Sequence, residues 1–370
     1  MTPDPSDLRS LLATVATGLE RLPYTTWNFG DSVAFEGLVA AGDALDSDRY
    51  LAFARGVIRG WATRRRPFVR LDCVAPGLAM VQVIERTGDE HVLEAASDLA
   101  SYLRSRPTID GVYATWEHSP LQEPWGPDEL SPAELQLLAD PPAGVFVDCL
   151  HFDPPFFAAL GQVTGDYDLV DDAVEQALGY IRLLQRPDGL FEHFVLDPAA
   201  TTYGPGWGRG QGWALLGLLG VIGRLDADDP RRAELASSAA RLVQAMRTWQ
   251  RSDGSWSAVV DDPSSGDENS TTAFMAEGFV HAATLGVIAG GDIGPVRHDA
   301  ERALRAAVAA TDANGQLTSV SAAVNACTTA SHYVHVRRGF VVPWGQGPLA
   351  LALASHVRAP GESAPGRSWP

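Results

Sequence analysis

Six stretches of this chain read as helices with no polar side, and such helices must be enclosed by other protein. The plainest begins at Trp207-Gly208-Arg209-Gly210-Gln211-Gly212-Trp213 and continues as an unbroken apolar run from Ala214 to Ile222. The others lie at roughly 31–41, 75–86, 150–163, 270–289 and 345–355. Between them run amphipathic segments: Val92, Ala96, Leu99 and Leu103 share a face, as do Val170, Ala173, Ala177 and Ile181, and Leu235, Ala239, Leu242 and Met246. Their opposite faces carry charge, so they belong on the outside. Short turns mark the passage from one kind to the other: Ala41-Gly42-Asp43, Thr87-Gly88-Asp89, Thr164-Gly165-Asp166 and Gly290-Gly291-Asp292. Glycine suits a left-handed helix end and aspartate the N-cap of the next helix.

The last apolar segment has no ordered amphipathic partner behind it, because residues 360–370 are rich in Pro, Gly and Ser and read as a disordered tail. The N-terminal segment, with Leu8, Leu11, Leu12, Val15 and Leu19 on one side, fills that place. Six inner and six outer helices then close into a ring. The expected fold is all-α, an (α/α)6 barrel, with residues 1–359 as a single catalytic domain. An open solenoid would need polar caps at both ends, and the sequence offers none.

A chain of 370 residues that is 45% hydrophobic can bury a large core. Its net charge of −18 and lack of a basic stripe argue against nucleic acid as a partner. No apolar run approaches the roughly 18 residues that span a bilayer. The start of the chain lacks a basic, apolar leader, so a cytoplasmic protein without membrane attachment, monomeric or homodimeric, is expected. Three cysteines, Cys73, Cys149 and Cys327, give neither a disulfide framework nor a zinc spacing. No histidine pair is spaced to hold a metal, and no phosphate loop, dinucleotide fingerprint or nucleophile elbow is present. The chain is therefore expected to work without metal or cofactor.

In such a ring the loops leading into the inner helices gather on one face, and function is expected there. Two of these loops share a layout: Leu71-Asp72-Cys73 and Val147-Asp148-Cys149 each place an aspartate after an extended apolar stretch and before a buried helix. Either carboxylate would serve as an N-cap. Facing one cleft, the two would also form an acid/base pair, one raised by burial and the other held charged. His193 lies in the loop that leads toward Trp207 and is either structural or a substrate ligand. Trp207, Trp213, Arg209 and Gln211 cluster at the mouth of the fourth inner helix, where free N–H groups, a fixed cation and flat rings suit a sugar carrying a carboxylate. Close approach of helices and filling of the core would explain the same glycines and tryptophans. Tyr24 and Trp344, in the first and last of the loops, complete the candidate substrate-binding set. His151 reads as a satisfied core residue or a second site histidine, Glu268-Asn269-Ser270 as a helix cap or further cleft polar groups, and His118, His332 and His335 as weaker candidates.

Taken in order, Leu71-Asp72…Pro76-Gly77, Val147-Asp148, Thr164-Gly165-Asp166, Gly189-Leu190-Phe191-Glu192-His193, Trp207 to Trp213 and Glu268-Asn269-Ser270 resemble the unsaturated rhamnogalacturonyl hydrolases of glycoside hydrolase family 105, relatives of the family 88 unsaturated glucuronyl hydrolases. The resemblance spans roughly residues 24–355 and carries the same barrel. It implies an oligosaccharide substrate ending in a C4=C5 unsaturated uronic acid, and an enzyme that hydrates this vinyl ether instead of displacing at the anomeric carbon. By position it makes Asp148 the general acid/base, Asp72 the second carboxylate, and His193, Trp207 and Arg209 the surroundings of the uronate ring. Protonating an alkene carbon needs an acid that still holds its proton, so Asp148 is expected in an apolar, partly desolvated place, with Phe146, Val147, Leu150 and Phe152 around it. Arg209 would hold the uronate carboxylate. The chain departs from the family at Gln211, where asparagine is usual, and at Leu137-Leu138-Ala139-Asp140, where many members carry a His-Lys pair. Two other functions fit the same barrel: a sugar epimerase or isomerase using His151 and His193, and a carbohydrate-binding barrel without catalysis.

Overall fold

The computed structural model describes residues 4–24, 29–64, 68, 74–117, 119–197 and 201–357. The inner helices are Phe29–Leu45, Gly77–Thr87, Cys149–Phe152 with Pro154–Thr164, Gly208–Ile222, Asn269–Thr284 and Pro343–Val357. Each touches the next in chain order, and the last packs against the first. The ring is closed, and the fold is an (α/α)6 barrel. Closure depends on two glycines. A Cβ on Gly37 would meet the Gly347 carbonyl oxygen at 2.8 Å, and one on Gly347 would meet the Val33 carbonyl oxygen at 2.5 Å, so backbone lies on backbone at the seam.

The outer helices are Pro5–Leu19, Asp48–Ala62, Glu90–Arg104, Tyr167–Leu184, Pro230–Thr248 and Ile293–Ala309. Pro5–Leu19 packs on both the first and last inner helices, the place the sequence pattern gives it. Its Leu8, Leu12, Val15 and Leu19 are buried, as are Val92, Ala96, Leu99 and Leu103 in the third outer helix. Gly88 and Gly165 take the left-handed conformation at helix ends, and Asp89 and Asp166 cap the helices that follow.

The local pattern misleads at three points. Gly42-Asp43 does not end the first inner helix. Asp43 bonds Arg86 (2.7 Å), the helix continues to Leu45, and Asp46 supplies the left-handed turn. The third inner helix breaks at Asp153, because Pro154 and Pro155 have no N–H to continue it and serve as the first residues of a new helix. The fifth stops at Thr284, with Gly286 in the left-handed region, so residues to 289 lie outside it.

The loops on the site face are less plain than the sequence suggests. Strands Gly144–Phe146, Phe194–Leu196 and Thr202–Tyr203 form an antiparallel sheet, and Ser257–Val259 pairs with Asp262–Asp267. A short helix, Pro132–Ala139, is opened by a reciprocal capping box between Ser131 and Glu134. Leu121, Leu138, Phe146, Phe194, Leu196 and Cys327 pack together as a small second core over this layer. Cys149 and Cys327 are buried, and Cys73 lies outside the described residues. Among the described residues no helix is long and apolar enough to cross a membrane.

Candidate active site

Antiparallel pairing brings the first two site residues together. Phe146 sits opposite Phe194, and the Val147 amide donates to the His193 carbonyl oxygen (2.8 Å). Asp148 follows this strand and His193 precedes its partner, so their side chains meet. Nε2 of His193 lies 3.2 Å from Oδ2 of Asp148, close but not aligned for a straight N–H···O bond, and no described group donates a hydrogen bond to that oxygen. Asp148 occupies the N-cap position of Cys149–Phe152, yet its side chain makes no capping bond. The carboxyl is turned to His193 instead of to the helix end.

His193 is enclosed on every side. Its ring lies 4.3 Å from that of Trp207 and meets the edges or faces of Phe146, Phe194 and Tyr333 at 5.4–5.6 Å. Nδ1 is 2.7 Å from the Tyr333 hydroxyl. Gly204 makes this packing possible: it has φ 71°, and a Cβ there would fall 2.5 Å from both His193 Cβ and the Tyr333 oxygen.

Arg209 stands beneath Trp207, with its guanidinium 5.0 Å from that ring and 5.8 Å from Trp344. It has no solvent-accessible surface. Nη1 bonds Ser321 Oγ (2.8 Å) and Ser270 Oγ (3.4 Å), Nη2 bonds the Ala322 carbonyl (3.0 Å), and Glu268 is its ion partner at 3.6 Å. Burial lowers its pKa, opposed by the charges of Glu268 and Asp148. Glu268 caps the fifth inner helix through Ser270 and receives the Ser321 amide (3.1 Å).

Gln211 and Trp213 are likewise without exposed surface. The Gln211 amide is taken up by backbone: Oε1 accepts from Phe191 N (2.8 Å), and Nε2 donates to Phe191 O (2.8 Å) and Trp207 O (3.0 Å). It thus ties the His193 loop to the fourth inner helix. Trp213 packs with Phe274, Phe152 and His151 in the barrel core. Trp344 is 7% exposed and donates to Ser321 O (3.0 Å). Tyr24 packs on Phe35 and Phe53, and burial, reinforced by Asp31, drives its hydroxyl far above the ordinary value.

His151 is buried and directed elsewhere, with Nε2 3.0 Å from Glu36 Oε1, which also accepts from Ser32 Oγ (2.6 Å). The two histidines that an epimerase would use are therefore engaged by different partners. His332 is buried between the Trp125 amide and the Asn325 carbonyl (both 3.0 Å), and His335 bonds Ser331 O (2.8 Å). Asp72 and His118 lie outside the described residues. Among the described residues no group of three or more His, Cys, Asp or Glu side chains could hold a metal. Tyr333 and Glu36 escaped the sequence reading. Tyr333 stands beside His332, a residue the sequence did single out, but nothing in its spacing announces a bond to His193.

A closed α/α barrel that brings a carboxyl and an imidazole together among aromatic rings offers acid/base groups beside flat apolar surfaces. Residues 14–359 match the family described as Glycosyl Hydrolase Family 88, and the chain belongs to that family. It is 24% identical over 335 residues to the unsaturated rhamnogalacturonyl hydrolase YesR of Bacillus subtilis (strain 168), covering 90% of this chain and 89% of that one. In fold it is similar to a possible member of the GH105 family from Klebsiella pneumoniae subsp. pneumoniae MGH 78578, at TM-score 0.80 and 20% identity, with 96% and 94% of the two chains covered. It is also similar to the unsaturated glucuronyl hydrolase of Bacillus sp. GL1, at TM-score 0.69 and 18% identity, with 93% and 94% covered.

Proposed function

We propose that this enzyme releases a C4=C5 unsaturated uronic acid from the non-reducing end of an oligosaccharide by hydrating the vinyl ether, with Asp148 as general acid and then general base. The observation that carries the reading is the Asp148 carboxyl: unspent as a helix cap, 15% exposed, and set against His193 among Phe146, Val147 and Trp207. Its proton passes to C4, and the ring oxygen stabilises the cation left at C5. Water adds at C5 and gives a proton back to the carboxylate. The resulting hemiketal opens its C5–O bond, and the freed hemiacetal at C1 expels the aglycone as an alcohol. One carboxyl thus serves both halves, and the proton count closes.

In this reading Trp207 supplies a flat surface beside the reacting ring, with Tyr24 and Trp344 on neighbouring loops, and Asp72 is the second carboxylate. Arg209 acts as buried charge behind Trp207, because its Nη groups are already bonded to Ser321, Ser270 and Ala322. Gln211 holds the loop that carries His193. The name of the relative from B. subtilis supports an unsaturated uronide as substrate. The test is loss of the ultraviolet absorbance of the unsaturated ring when the protein is given lyase-generated disaccharides from pectin, glycosaminoglycans, ulvan and xanthan. Loss with at least one of them is expected, and stable absorbance with all of them would refute the proposal.

A further inference from the structure

The tautomer of His193 decides what Asp148 faces, and the far ring nitrogen is held from a distant part of the chain. Nδ1 lies 2.7 Å from the Tyr333 hydroxyl oxygen, which lies 3.4 Å from the Cys327 carbonyl oxygen. A carbonyl oxygen only accepts, and a phenol has one proton to give. Both contacts are satisfied when the phenol donates to Cys327 and accepts from Nδ1–H. Tyr333 is 2% exposed, and its placement is fixed by its neighbours. His332 anchors the same short helix, Ala330–His335, and Gly204 leaves room for the hydroxyl.

We propose that Tyr333 is a positioning residue that pins the Nδ1–H tautomer of His193 and so turns an unprotonated Nε2 toward Asp148. The proposal rests on the reading of Asp148 as the acid. A bare nitrogen at 3.2 Å can accept from a protonated carboxyl but offers nothing to a carboxylate. An acid-form Asp148 then has an acceptor beside it and no competing N–H, with its proton within reach of an alkene carbon. The off-line contact leaves that oxygen uncommitted. The opposite tautomer would set an N–H against the carboxyl and favour the carboxylate, the wrong form for the first step. After C4 is protonated, the water adding at C5 returns a proton to Asp148, and the imidazole need not change.

The other ionisable groups that act on these residues come from several elements. Burial raises Tyr333, with Cys327, Asp148 and then Glu192, beside His193 in sequence, adding to it; Arg209 interacts with Asp148, and His332 with His193. None of them bonds Nδ1 or Nε2 of His193 among the described residues. The hydroxyl of Tyr333 is the group through which the tautomer is set.

The test is Tyr333→Phe in the full chain, read by the ring-nitrogen shifts of His193 and by the pH profile of turnover. In the wild-type protein Nδ1 carries the proton. In the variant the proton moves to Nε2, kcat falls by about ten- to a hundredfold while KM changes by less than about threefold, and the alkaline limb of the kcat profile moves to lower pH. A purely structural role for Tyr333 would leave that limb in place. Wild-type protein with its proton on Nε2, or a variant that keeps both kcat and pH profile, would overturn the proposal. The nitrogen shifts of the wild-type chain are decisive even where the variant folds poorly. If no unsaturated uronide is consumed, the hydrolase reading falls separately, and those shifts still decide the tautomer.

Discussion

Asp148 and His193 come within 3.2 Å of each other because two short strands pair in one register, Phe146 opposite Phe194. A slip of one residue would turn one of the two side chains to the other face of the sheet and separate them. The site is thus as rigid as that pairing. The pairing is backed by stacked Phe146 and Phe194 rings at 4.8 Å and by the Val147 amide bond to His193.

Asp148→Asn removes the transferable proton and little else. The native side chain makes no capping bond, so the unfolding free energy from urea titration is expected to stay within about 1 kcal/mol of wild type. Turnover on an unsaturated disaccharide is expected to fall by about 10²–10⁴-fold or more. Full activity in this variant would remove Asp148 from the chemistry.

Gly204→Ala tests how tightly the histidine is packed. The backbone there has φ 71°, and the added methyl would fall 2.5 Å from His193 Cβ and the Tyr333 oxygen. Strain and overpacking together cost about 2–4 kcal/mol. Whatever folds should have lost activity, because His193 must move to make space. Unchanged melting temperature and kcat would show that this loop yields more easily than its packing indicates.

How much of this was legible in the sequence differs from residue to residue. The six fully apolar helices declared the ring, since each could exist only if enclosed. Asp148 and His193 stood out singly, but their contact did not: Gly144-Val145-Phe146 and Phe194-Val195-Leu196 are buried on both faces and show no alternation to set a register. Arg209 read as a cation at an open mouth because Ser321, Ala322 and Glu268, which enclose it, come from distant loops. Gly42-Asp43 has the same local form as Gly88-Asp89, and only the tertiary bond from Arg86 distinguishes it. Local chemistry was readable, and long-range partners were not.

Arg209→Ala is expected to act on stability before it acts on binding. It strips Glu268 of its ion partner in a fully buried setting and leaves Ser321 and the Ala322 carbonyl without their donor. Removing one member of a buried pair costs about 3–5 kcal/mol, and the amide and hydroxyl bonds that Glu268 keeps favour the lower end. Denaturant unfolding gives the figure. A loss below about 1 kcal/mol would mean that Arg209 is not part of the structural network, and an effect confined to KM would return it to the substrate.

Acid should weaken the fold in two stages: His332 contributes to the upper one beside His281 and His356, which burial also lowers, and Asp89 contributes to the lower one beside hydrogen-bonded carboxylates such as Asp229 and Asp312. His332 is held near 4 by burial first, with His193 adding to the effect and its bond to Asn325 opposing it. Because this folded value is below the unfolded value of about 6.5, its stabilisation is complete above about pH 6.5 and is lost as pH falls toward 4, when only the unfolded chain takes the proton. Asp89 behaves differently. Burial pushes its carboxyl up, but bonds from Arg59, Arg55 and the Val92 amide outweigh it and hold it at about 2. Its contribution is full above about pH 4 and is lost between there and pH 2, amounting to about 1–2 kcal/mol once the half-exposed arginines are allowed for. Urea midpoints measured from pH 7 to pH 2.5 should fall in both intervals. Asp89→Asn should lessen the slope of the lower one alone, and His332→Gln that of the upper one alone. If either substitution leaves its own interval as steep as in the wild-type chain, the corresponding residue is not among the groups that titrate there.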